Sequence, residues 1–492
     1  MNSSLNILFS ASEVAPFAKT GGLADVAGAL PKSLHAMGHN VIVVMPRYYQ
    51  IDTKELKPVS ATLKVPMGGM GELFASVYQS NIPGSDVVIY FIDYEEFFGR
   101  KGLYDDNSIA YDDNDIRFLF FSKAVFELCL KLGFKPDVIH ANDWHTAAMP
   151  ILAQTRYKHD FGDAATVVTI HNLQHQRVFS SRGVDFLEIG WEHFKPESFE
   201  SMGALNILKG GIAYADAVTT VSKKYAKEIQ TSEFGFGLEH HISQHAYKLF
   251  GILNGVDYEE WNPSVDKHIV KKYDSEAMAG KEKCKTSLQE HFGLEIDSGK
   301  ALIGFVGRFA HQKGIEMIAG VLEGLLALDI AIVVLGTGEK WAESYFSEMA
   351  KKYPSKLGVH IGYSDALAHQ IEAGSDLFLM PSLFEPCGLN QIYSLKYGTI
   401  PIVRATGGLD DTIENFDLLD KRGNGFKFYN ADNDALYHTV VWAVETYQKE
   451  PEAFRLMQKR AMSANFGWEE AARDYVDVYR YALAKRKVSK LQ

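Results

Sequence analysis

Cysteine is scarce in this chain, and its spacing argues against the common structural uses of cysteine. The 492 residues contain three cysteines, Cys129, Cys284 and Cys387, and no Cys-x-x-Cys pair. This usage is typical of a reducing compartment and disfavours a disulfide framework or a cysteine-based zinc site. The composition therefore predicts a cytoplasmic protein without structural zinc.

The chain also lacks an excess of positive charge and any long apolar run. Its formal net charge is −12, so nucleic-acid phosphates and anionic lipids would be repelled by the average surface. No stretch approaches the roughly 20 apolar residues that cross a bilayer. The apolar run at residues 5–9 is too short for a secretory signal and is typical of a strand. We expect neither nucleic acid nor a membrane as a partner.

Three catalytic fingerprints are missing. The sequence contains no Gly-x-Gly-x-x-Gly, no P-loop lysine motif and no Gly-x-Ser-x-Gly. A dinucleotide cofactor, P-loop ATP hydrolysis and serine-hydrolase chemistry are therefore disfavoured.

What the chain does contain is a strand–helix alternation that occurs twice. Short apolar runs rich in β-branched residues, typical of buried parallel strands, lie at 41–45, 87–92, 138–140, 166–170, 218–221 and 250–253, and again at 301–306, 330–335, 359–361, 377–380 and 400–403. A chain of this length is expected to form two domains. We predict α/β domains at 1–262 and 263–465, a lysine-rich linker extending to about residue 285, and a last helix at 466–492 that packs back on the first domain.

Two glycine-bearing segments each follow a predicted strand. Residues 19–25 read Lys-Thr-Gly-Gly-Leu-Ala-Asp, and residues 384–389 read Phe-Glu-Pro-Cys-Gly-Leu. A glycine-rich turn between a strand and a helix exposes backbone N–H groups to an anion. Ligands of open α/β sheets collect at these carboxyl ends of strands. Gly21 and Gly22, with Lys19 as a countercharge, are thus predicted to bind phosphate.

Three charged residues suit the breaking of a bond to a diphosphate. Arg308 and Lys313 lie near a predicted helix start, where two cations would neutralise charge on a leaving phosphate. Glu385 could hold sugar hydroxyls or stabilise positive charge on an anomeric carbon. Taken singly, these residues are better explained as solvated surface charges and a helix N-cap.

Polar residues also follow two neighbouring predicted strands, at 140–145 and 171–174. Asp143 and His171 would offer hydrogen bonds to sugar hydroxyls, and Trp144 could stack on a pyranose ring. The alternative is a polar network that closes the edge of the sheet, with Trp144 in the core. No metal is expected at these histidines.

Together these segments resemble those of bacterial glycogen synthases and plant starch synthases. The resemblance is carried by residues 19–26, 142–145, 171–172, 253–257, 381–389 and 406–409. It implies the GT-B fold, in which two Rossmann-like domains have parallel sheets facing across a deep cleft. It also implies retaining transfer of glucose from ADP-glucose to an α-1,4-glucan, with release of ADP and without a metal or organic cofactor.

The resemblance further implies roles for individual residues. Those expected to act in catalysis are Glu385, Lys313, Arg308, His171 and Asp143. Those expected to bind substrate are Lys19, Gly21, Gly22, Glu13, Asp25, Asn172, Asn254, Tyr363, Cys387, Gly388, Leu389, Thr406, Gly407 and Gly408, with Tyr363 stacking on adenine and Glu13 organising the cleft. One departure is Arg177, where relatives commonly have glycine, and it puts the acceptor side in question.

Three other functions stay open at this point. One is a GT-B enzyme with a different donor or acceptor, such as a sucrose- or trehalose-forming relative. Another is a noncatalytic glucan-binding protein, which the intact Lys19, Arg308, Lys313 and Glu385 argue against. The third is a phosphorylase-type enzyme, which would carry pyridoxal phosphate on a lysine.

Overall fold

A computed structural model describes residues 4–106 and 109–489 and divides the chain into two compact units. The first unit comprises Met1–Val221, Ala226–Gly255 and Trp468–Gln492, and the second comprises Ser222–Tyr225 and Val256–Gly467. The first unit thus ends at Gly255 rather than at the predicted 262, and the chain returns to it at Trp468 rather than at 466. Residues 490–492 of the predicted last helix lie outside the described residues.

The strands follow the predicted alternation closely. They are β1 Asn6–Ser10, β2 Asn40–Pro46, β3 Lys57–Pro66, β4 Glu72–Asn81, β5 Val88–Asp93, β6 Asp105–Asp106, β7 Ile109–Ala110, β8 Val138–Asn142, β9 Ala165–Ile170, β10 Glu200–Ser201, β11 Ala204–Leu205, β12 Ala217–Thr220, β13 Leu249–Gly251, β14 Ala301–Val306, β15 Ile330–Gly336, β16 Leu357–Ile361, β17 Leu377–Met380, β18 Ile400–Arg404 and β19 Phe426–Phe428.

The helices alternate with these strands. They are α1 Gly22–Ala36, α2 Glu95–Phe98, α3 Asn114–Leu132, α4 Asp143–Thr146, α5 Met149–Gln154, α6 Lys158–Phe161, α7 Gly183–Leu187, α8 Ile207–Tyr214, α9 Lys223–Glu228, α10 Glu239–Gln244, α11 Ala279–Phe292, α12 Ile315–Leu326, α13 Lys340–Lys352, α14 Asp365–Gly374, α15 Asn390–Tyr397, α16 Gly407–Thr412, α17 Asn433–Lys449, α18 Pro451–Ser463 and α19 Trp468–Ser489. In the part of the chain that the structure describes, no helix is both long and apolar enough to cross a membrane.

The first unit is built on one large sheet. Its strand order is β13-β12-β9-β8-β1-β2-β5-β4-β3, parallel except for β4, which runs antiparallel to both neighbours. Helix α19 packs on this unit, where the Tyr479 hydroxyl lies 2.7 Å from Nδ1 of the buried His140. The order reverses between β1 and β8, so the chain leaves these adjacent strands in opposite directions.

The second unit has an all-parallel sheet in the order β16-β15-β14-β17-β18-β19. Every residue of β15 is buried, as expected for a strand covered by helices on both faces. Asp432 caps α17 by accepting a hydrogen bond from the Ala435 amide at 2.8 Å. Here the order reverses between β14 and β17, which places the ends of these two strands at the usual ligand position of such folds.

The predicted linker is wrong over its last part. Residues 279–292 form α11, and its Lys281 and Lys285 are buried, each 5% exposed. Lys281 Nζ donates to Thr399 Oγ1 at 2.6 Å, and Lys285 Nζ lies 2.7 Å from Asp376 Oδ2. A lysine-rich composition indicated solvent, but here the charged ends are bonded inside the second unit.

Candidate functional site

In the first unit, the predicted residues lie where three adjacent strands end. Glu13 and Lys19 follow β1, Asp143 follows β8, and His171 follows β9. Because these strands are parallel neighbours, their carboxyl ends share one edge of the sheet. Within this unit, these residues therefore lie at one edge of the sheet.

Glu13 holds the glycine-bearing loop in place. Its buried carboxylate accepts hydrogen bonds from the Thr20 hydroxyl at 2.6 Å, the Gly21 amide at 3.3 Å and the Tyr104 hydroxyl at 2.6 Å, as well as from the Thr20 amide. Charge-assisted bonds of this kind are stronger than neutral ones. Glu13 thus positions the Lys19–Gly22 turn, a function that the sequence suggested only in general terms.

The turn itself is shaped to admit a ligand. Helix α1 begins at Gly22 with Gly21 as its N-cap, and Gly21 provides no side-chain cap for the first amides. A Cβ atom added at Gly21 or Gly22 would meet no other atom within 4 Å. Neither glycine is therefore required by packing within the chain. Beside them, Lys19 Nζ lies 2.7 Å from Asp25 Oδ1 in a pair that is exposed to solvent, so the pairing is weak.

Asp143 joins the ends of β8 and β9. It has a left-handed backbone with φ of 53°, which is uncommon outside glycine, and its Oδ1 accepts a hydrogen bond from the His171 amide at 2.8 Å. Burial raises the pKa of the Asp143 carboxyl to about 7, against the opposing effect of that bond. Strained residues of this kind cluster at functional sites.

The hydrogen bonds of His171 fix its tautomer. Asn142 Nδ2 donates to the Ser10 carbonyl at 3.0 Å, which turns its Oδ1 toward His171 Nε2 at 2.9 Å. Since an amide oxygen only accepts, Nε2 carries the proton and Nδ1 is left as an acceptor. Burial lowers the pKa of His171 to about 3, so the ring is neutral near pH 7.

This neutral ring gives a pH-dependent stability. The pKa of His171 is lower in the folded chain than in the unfolded chain, so between about pH 6.5 and pH 3 only the unfolded chain binds the proton. The stability that is present above pH 6.5 is therefore lost on acidification. From pH 7 to pH 5 this loss amounts to about 2 kcal/mol for one histidine. Between pH 7 and pH 5, the free energy of unfolding measured in urea should fall by about 2 kcal/mol less in the variant His171→Gln than in the wild type. His159→Gln, at a histidine side chain 96% exposed, is the control. An identical pH dependence for wild type and both variants would contradict this assignment.

The remaining predictions for the first unit have mixed outcomes. Trp144 is 3% exposed and packs on Phe118 at 5.1 Å and on Phe179 at 5.0 Å. The stacking hypothesis for Trp144 is wrong, because the ring belongs to the core. Asn172 caps a short turn through the Gln174 amide. Asn254 is buried, and its Oδ1 lacks a hydrogen-bond partner among the described residues.

Arg177 has a backbone conformation that glycine adopts more easily than arginine does. Its φ is 53°, in the left-handed region that glycine adopts at no steric cost. Arginine at position 177 therefore differs from glycine in backbone preference as well as in charge.

In the second unit, Lys313 and Glu385 meet at the reversal of strand order. Lys313 follows β14 and Glu385 follows β17, and their Nζ and Oε2 atoms are 2.5 Å apart. Ser382 Oγ also donates to the same Glu385 oxygen at 3.0 Å. The carboxylate side chain is 8% exposed and the lysine side chain 22%. The N-cap of α15 is Leu389, so the interpretation of Glu385 as a helix cap is wrong.

Close backbone contacts hold the two loops together. The Leu383 amide donates to the Gln312 carbonyl at 2.9 Å. Gly314 has φ of 68°, and a Cβ there would lie 2.2 Å from the Pro381 oxygen. At Gly407 a Cβ would lie 1.9 Å from the Glu385 oxygen. These glycines are needed for loop contact, in contrast to Gly21 and Gly22.

The other predicted residues of this unit follow strands of the same sheet. Arg308 is exposed, and its guanidinium contacts Gln312 Oε1 at 3.3 Å, with no ion pair to a carboxylate among the residues described. Tyr363 follows β16, is 78% exposed, and donates to Asp365 Oδ1 at 3.3 Å. The loop between β17 and α15 and the start of α16 carry Cys387, Gly388, Leu389, Thr406, Gly407 and Gly408.

Some residues of these networks were missed by sequence reasoning. Thr20, Tyr104, Asn142 and Ser382 each orient a predicted residue through a hydrogen bond. Ser382 lies three positions before Glu385, a spacing that could have been noticed. Tyr104 is 91 positions from Glu13 and only the fold brings the two together.

Comparisons with known proteins identify the class of enzyme. The family model described as "Starch synthase catalytic domain" matches residues 6–244, and the model "Glycosyl transferases group 1" matches residues 287–458. The matches cover both units, and they define the chain as a glycosyltransferase.

Full-length relatives then give the family. Over 486 residues the chain is 50% identical to glycogen synthase 1 of Geobacter sulfurreducens, covering 98% of this chain and 97% of that protein. It is 44% identical over 480 residues to the glycogen synthase of Koribacter versatilis, covering 97% and 98%. The catalytic domain of starch synthase IV from Arabidopsis thaliana, solved with ADP and acarbose, is 32% identical with a TM-score of 0.89, covering 98% of this chain and 100% of that one. The chain belongs to the family of bacterial glycogen synthases and starch synthases, and the predicted GT-B fold class is confirmed.

Proposed function

We propose that this protein transfers glucose from ADP-glucose to the 4-hydroxyl at the non-reducing end of an α-1,4-glucan, with retention of configuration and release of ADP. The observation that carries the proposal is the Lys313–Glu385 pair at the reversal point of the second sheet, with the exposed Arg308 on the same loop after β14 as Lys313. The relatives named above support the donor and the acceptor.

On the donor side, the two cationic residues stabilise negative charge on the phosphate and the carboxylate stabilises positive charge on the sugar. As the bond between the sugar C1 and the phosphate oxygen breaks, its electron pair leaves with ADP, and Arg308 and Lys313 neutralise the growing negative charge. Glu385 stabilises the positive charge that develops on the sugar ring. The acceptor oxygen forms the new bond to C1, and its proton passes to the departing phosphate.

On the first unit, Asp143 and His171 are assigned to the transferred sugar. The neutral His171 offers Nδ1 as a hydrogen-bond acceptor, and Asp143, with a pKa near 7, offers either a donor or an acceptor. Both are held by the backbone and by Asn142, so little reorganisation is needed when a sugar binds. These roles, and those of Tyr363 against adenine and Asn172 and Asn254 in substrate binding, remain predictions.

A donor panel tests the proposal. The purified protein would be given ADP-, UDP- or GDP-glucose with glycogen, and nucleotide release and new α-1,4 linkages would be measured. We expect the highest kcat/KM with ADP-glucose and no transfer without glucan. Preference for UDP- or GDP-glucose, or a disaccharide product, would favour a different GT-B enzyme. Hydrolysis or binding without elongation would contradict the proposal altogether.

Gly21→Ala separates ligand binding from folding. The position has φ of −156° and open space around a Cβ, so we expect the free energy of unfolding to change by no more than about 0.5 kcal/mol, as for surface substitutions. If phosphate approaches this turn, the methyl group will raise KM for ADP-glucose at least roughly tenfold, equal to about 1.4 kcal/mol. Gly407→Ala is the contrasting control, because its Cβ would collide with the Glu385 carbonyl and lower both stability and activity. An unchanged KM in Gly21→Ala would remove this turn from the donor site.

Cofactors, binding partners and cellular location are the last part of the proposed function. The protein is expected to need no metal or organic cofactor for the transfer and to bind neither nucleic acid nor a membrane. Its cytoplasmic location remains a prediction from the use of cysteine, and the three buried cysteines form no disulfide in the described part of the chain.

A further inference from the structure

Three side chains that commonly bind metals lie together in the second unit, apart from the Lys313–Glu385 pair. They are His268, Asp365 and His369, and one ligating atom of each lies within 4.8 Å of those of the other two. His268 Nε2 is 3.9 Å from Asp365 Oδ2. Asp365 and His369 lie one turn apart on α14, so both project from the same face of that helix. His268 comes from the segment that precedes α11.

One ring nitrogen of His369 is buried and lacks a hydrogen bond within the described part of the chain. The ring is fully buried, and its Nδ1 lies 2.8 Å from Asp266 Oδ2. The Tyr397 hydroxyl donates to the same oxygen at 2.5 Å, so that oxygen acts as an acceptor and the proton belongs on Nδ1. Nε2 then presents a buried lone pair, and among the described residues it has no hydrogen-bond partner. A buried polar atom of this kind is rare and costly unless something else binds it.

The ring is also held rigidly. Trp261 stacks on His369 with ring centroids 3.7 Å apart, and Trp261 stacks in turn on Tyr393 at 3.9 Å. A carboxylate on one imidazole nitrogen is the usual support of a histidine that binds metal through the other. His268 also lines a cavity of about 160 Å³ with Cys284 and Gln370.

We propose that His268, Asp365 and His369 bind one divalent transition-metal ion, with His369 using Nε2 and Asp266 orienting its ring. Two imidazoles and one carboxylate form a ligand set suited to Zn²⁺, with water as the fourth ligand. Ligands of tetrahedral zinc lie about 3.3 Å from one another, given Zn–N distances near 2.0 Å. The half-buried His268 and Asp365 therefore move inward, while His369 stays in place. The ion joins α14 to the segment before α11 and takes no part in glucose transfer.

Metal binding is tested on the full-length, tag-free protein after treatment with a chelator. Calorimetric titration with Zn²⁺ should give one ion per chain, and Co²⁺ should give visible absorption bands of a four-coordinate site. At zinc 100-fold above Kd, we expect the melting temperature to rise by roughly 5–10 °C. Mg²⁺, which prefers oxygen ligands, should have no such effect.

Variants assign the ligands. His268→Ala and Asp365→Asn, at half-buried positions, should each weaken zinc binding by roughly 100-fold or more, and Asp266→Asn by 10- to 100-fold as expected for a positioning residue. His438→Ala, at an exposed histidine of the same unit, should bind zinc like the wild type. Absence of zinc binding by the wild type, or binding that His268→Ala leaves unchanged, would overturn the proposal. Either result is independent of whether the enzyme transfers glucose.

Discussion

Replacing Lys313 with alanine is expected to lower kcat by roughly 100- to 1000-fold, the usual effect of removing one preorganised group that stabilises charge in a transition state. The ammonium group lies 2.5 Å from Glu385 Oε2, and the lysine side chain is 22% exposed, so it can meet a phosphate without a change of fold. Because negative charge grows on the phosphate as the bond breaks, kcat should fall more than KM rises.

The control for this variant is Lys449→Ala, which also removes a lysine paired with a glutamate, Glu445, but on the surface of α17. It should leave kcat unchanged. Lys313→Ala leaves Glu385 with Ser382 as its remaining side-chain donor, and some loss of stability is expected. Circular dichroism and a cooperative urea unfolding transition would show that the variant is folded. Near-normal turnover in folded Lys313→Ala would disprove the assigned effect on the leaving group.

The second large effect is expected for Glu385→Gln. Glutamine keeps the volume and an acceptor for Ser382 but removes the negative charge, so kcat should fall by about 100-fold or more. Lys313 is partly exposed and can turn to solvent, so the melting temperature should change little. Steady-state kinetics and thermal melting of the same preparation measure both effects.

Two further variants test whether the loss of activity in Glu385→Gln comes from the loss of charge. Ser382→Ala removes one hydrogen bond and retains the carboxylate, so we expect at most about a tenfold loss of kcat, which is equivalent to 1.4 kcal/mol. Glu445→Gln, on the exposed pair of α17, should have no effect. If Glu385→Gln lost no more activity than Ser382→Ala, the charge of Glu385 would be irrelevant to the reaction.

Strand ends were the most predictable part of this molecule. Continuous apolar runs such as 166–170 and 330–335 correspond closely to β9 and β15, because strands buried on both faces have little polar alternation. Because the strands are parallel, residues that follow neighbouring strands lie at the same edge of the sheet. Lys313 and Glu385, 72 positions apart, could therefore be placed in one site before their contact was seen.

Elements with a solvent-facing side were less predictable. Strands β3 and β4 form an antiparallel pair whose residues alternate between buried and exposed, and no apolar run marks them. Lys281 and Lys285 were assigned to a linker because charge usually means solvent. Their ammonium groups bond to Thr399 and Asp376, residues about 90 to 120 positions away that only the fold brings near.

The cluster around His369 was hidden for the same reason. Asp365 and His369 have the one-turn spacing of a helical ligand pair, which is visible in the sequence, but His268 lies about 100 positions earlier. The buried and unpartnered Nε2 atom is a property of the packed structure alone.

The central claim is that the loops after β14 and β17 bind the diphosphate of the donor. A crystal structure of the protein with ADP tests it most directly. We predict that the diphosphate lies within hydrogen-bond distance of Lys313 Nζ and the Arg308 guanidinium, at the reversal point of the second sheet. ADP bound elsewhere, with both cations left without phosphate contact, would contradict the account.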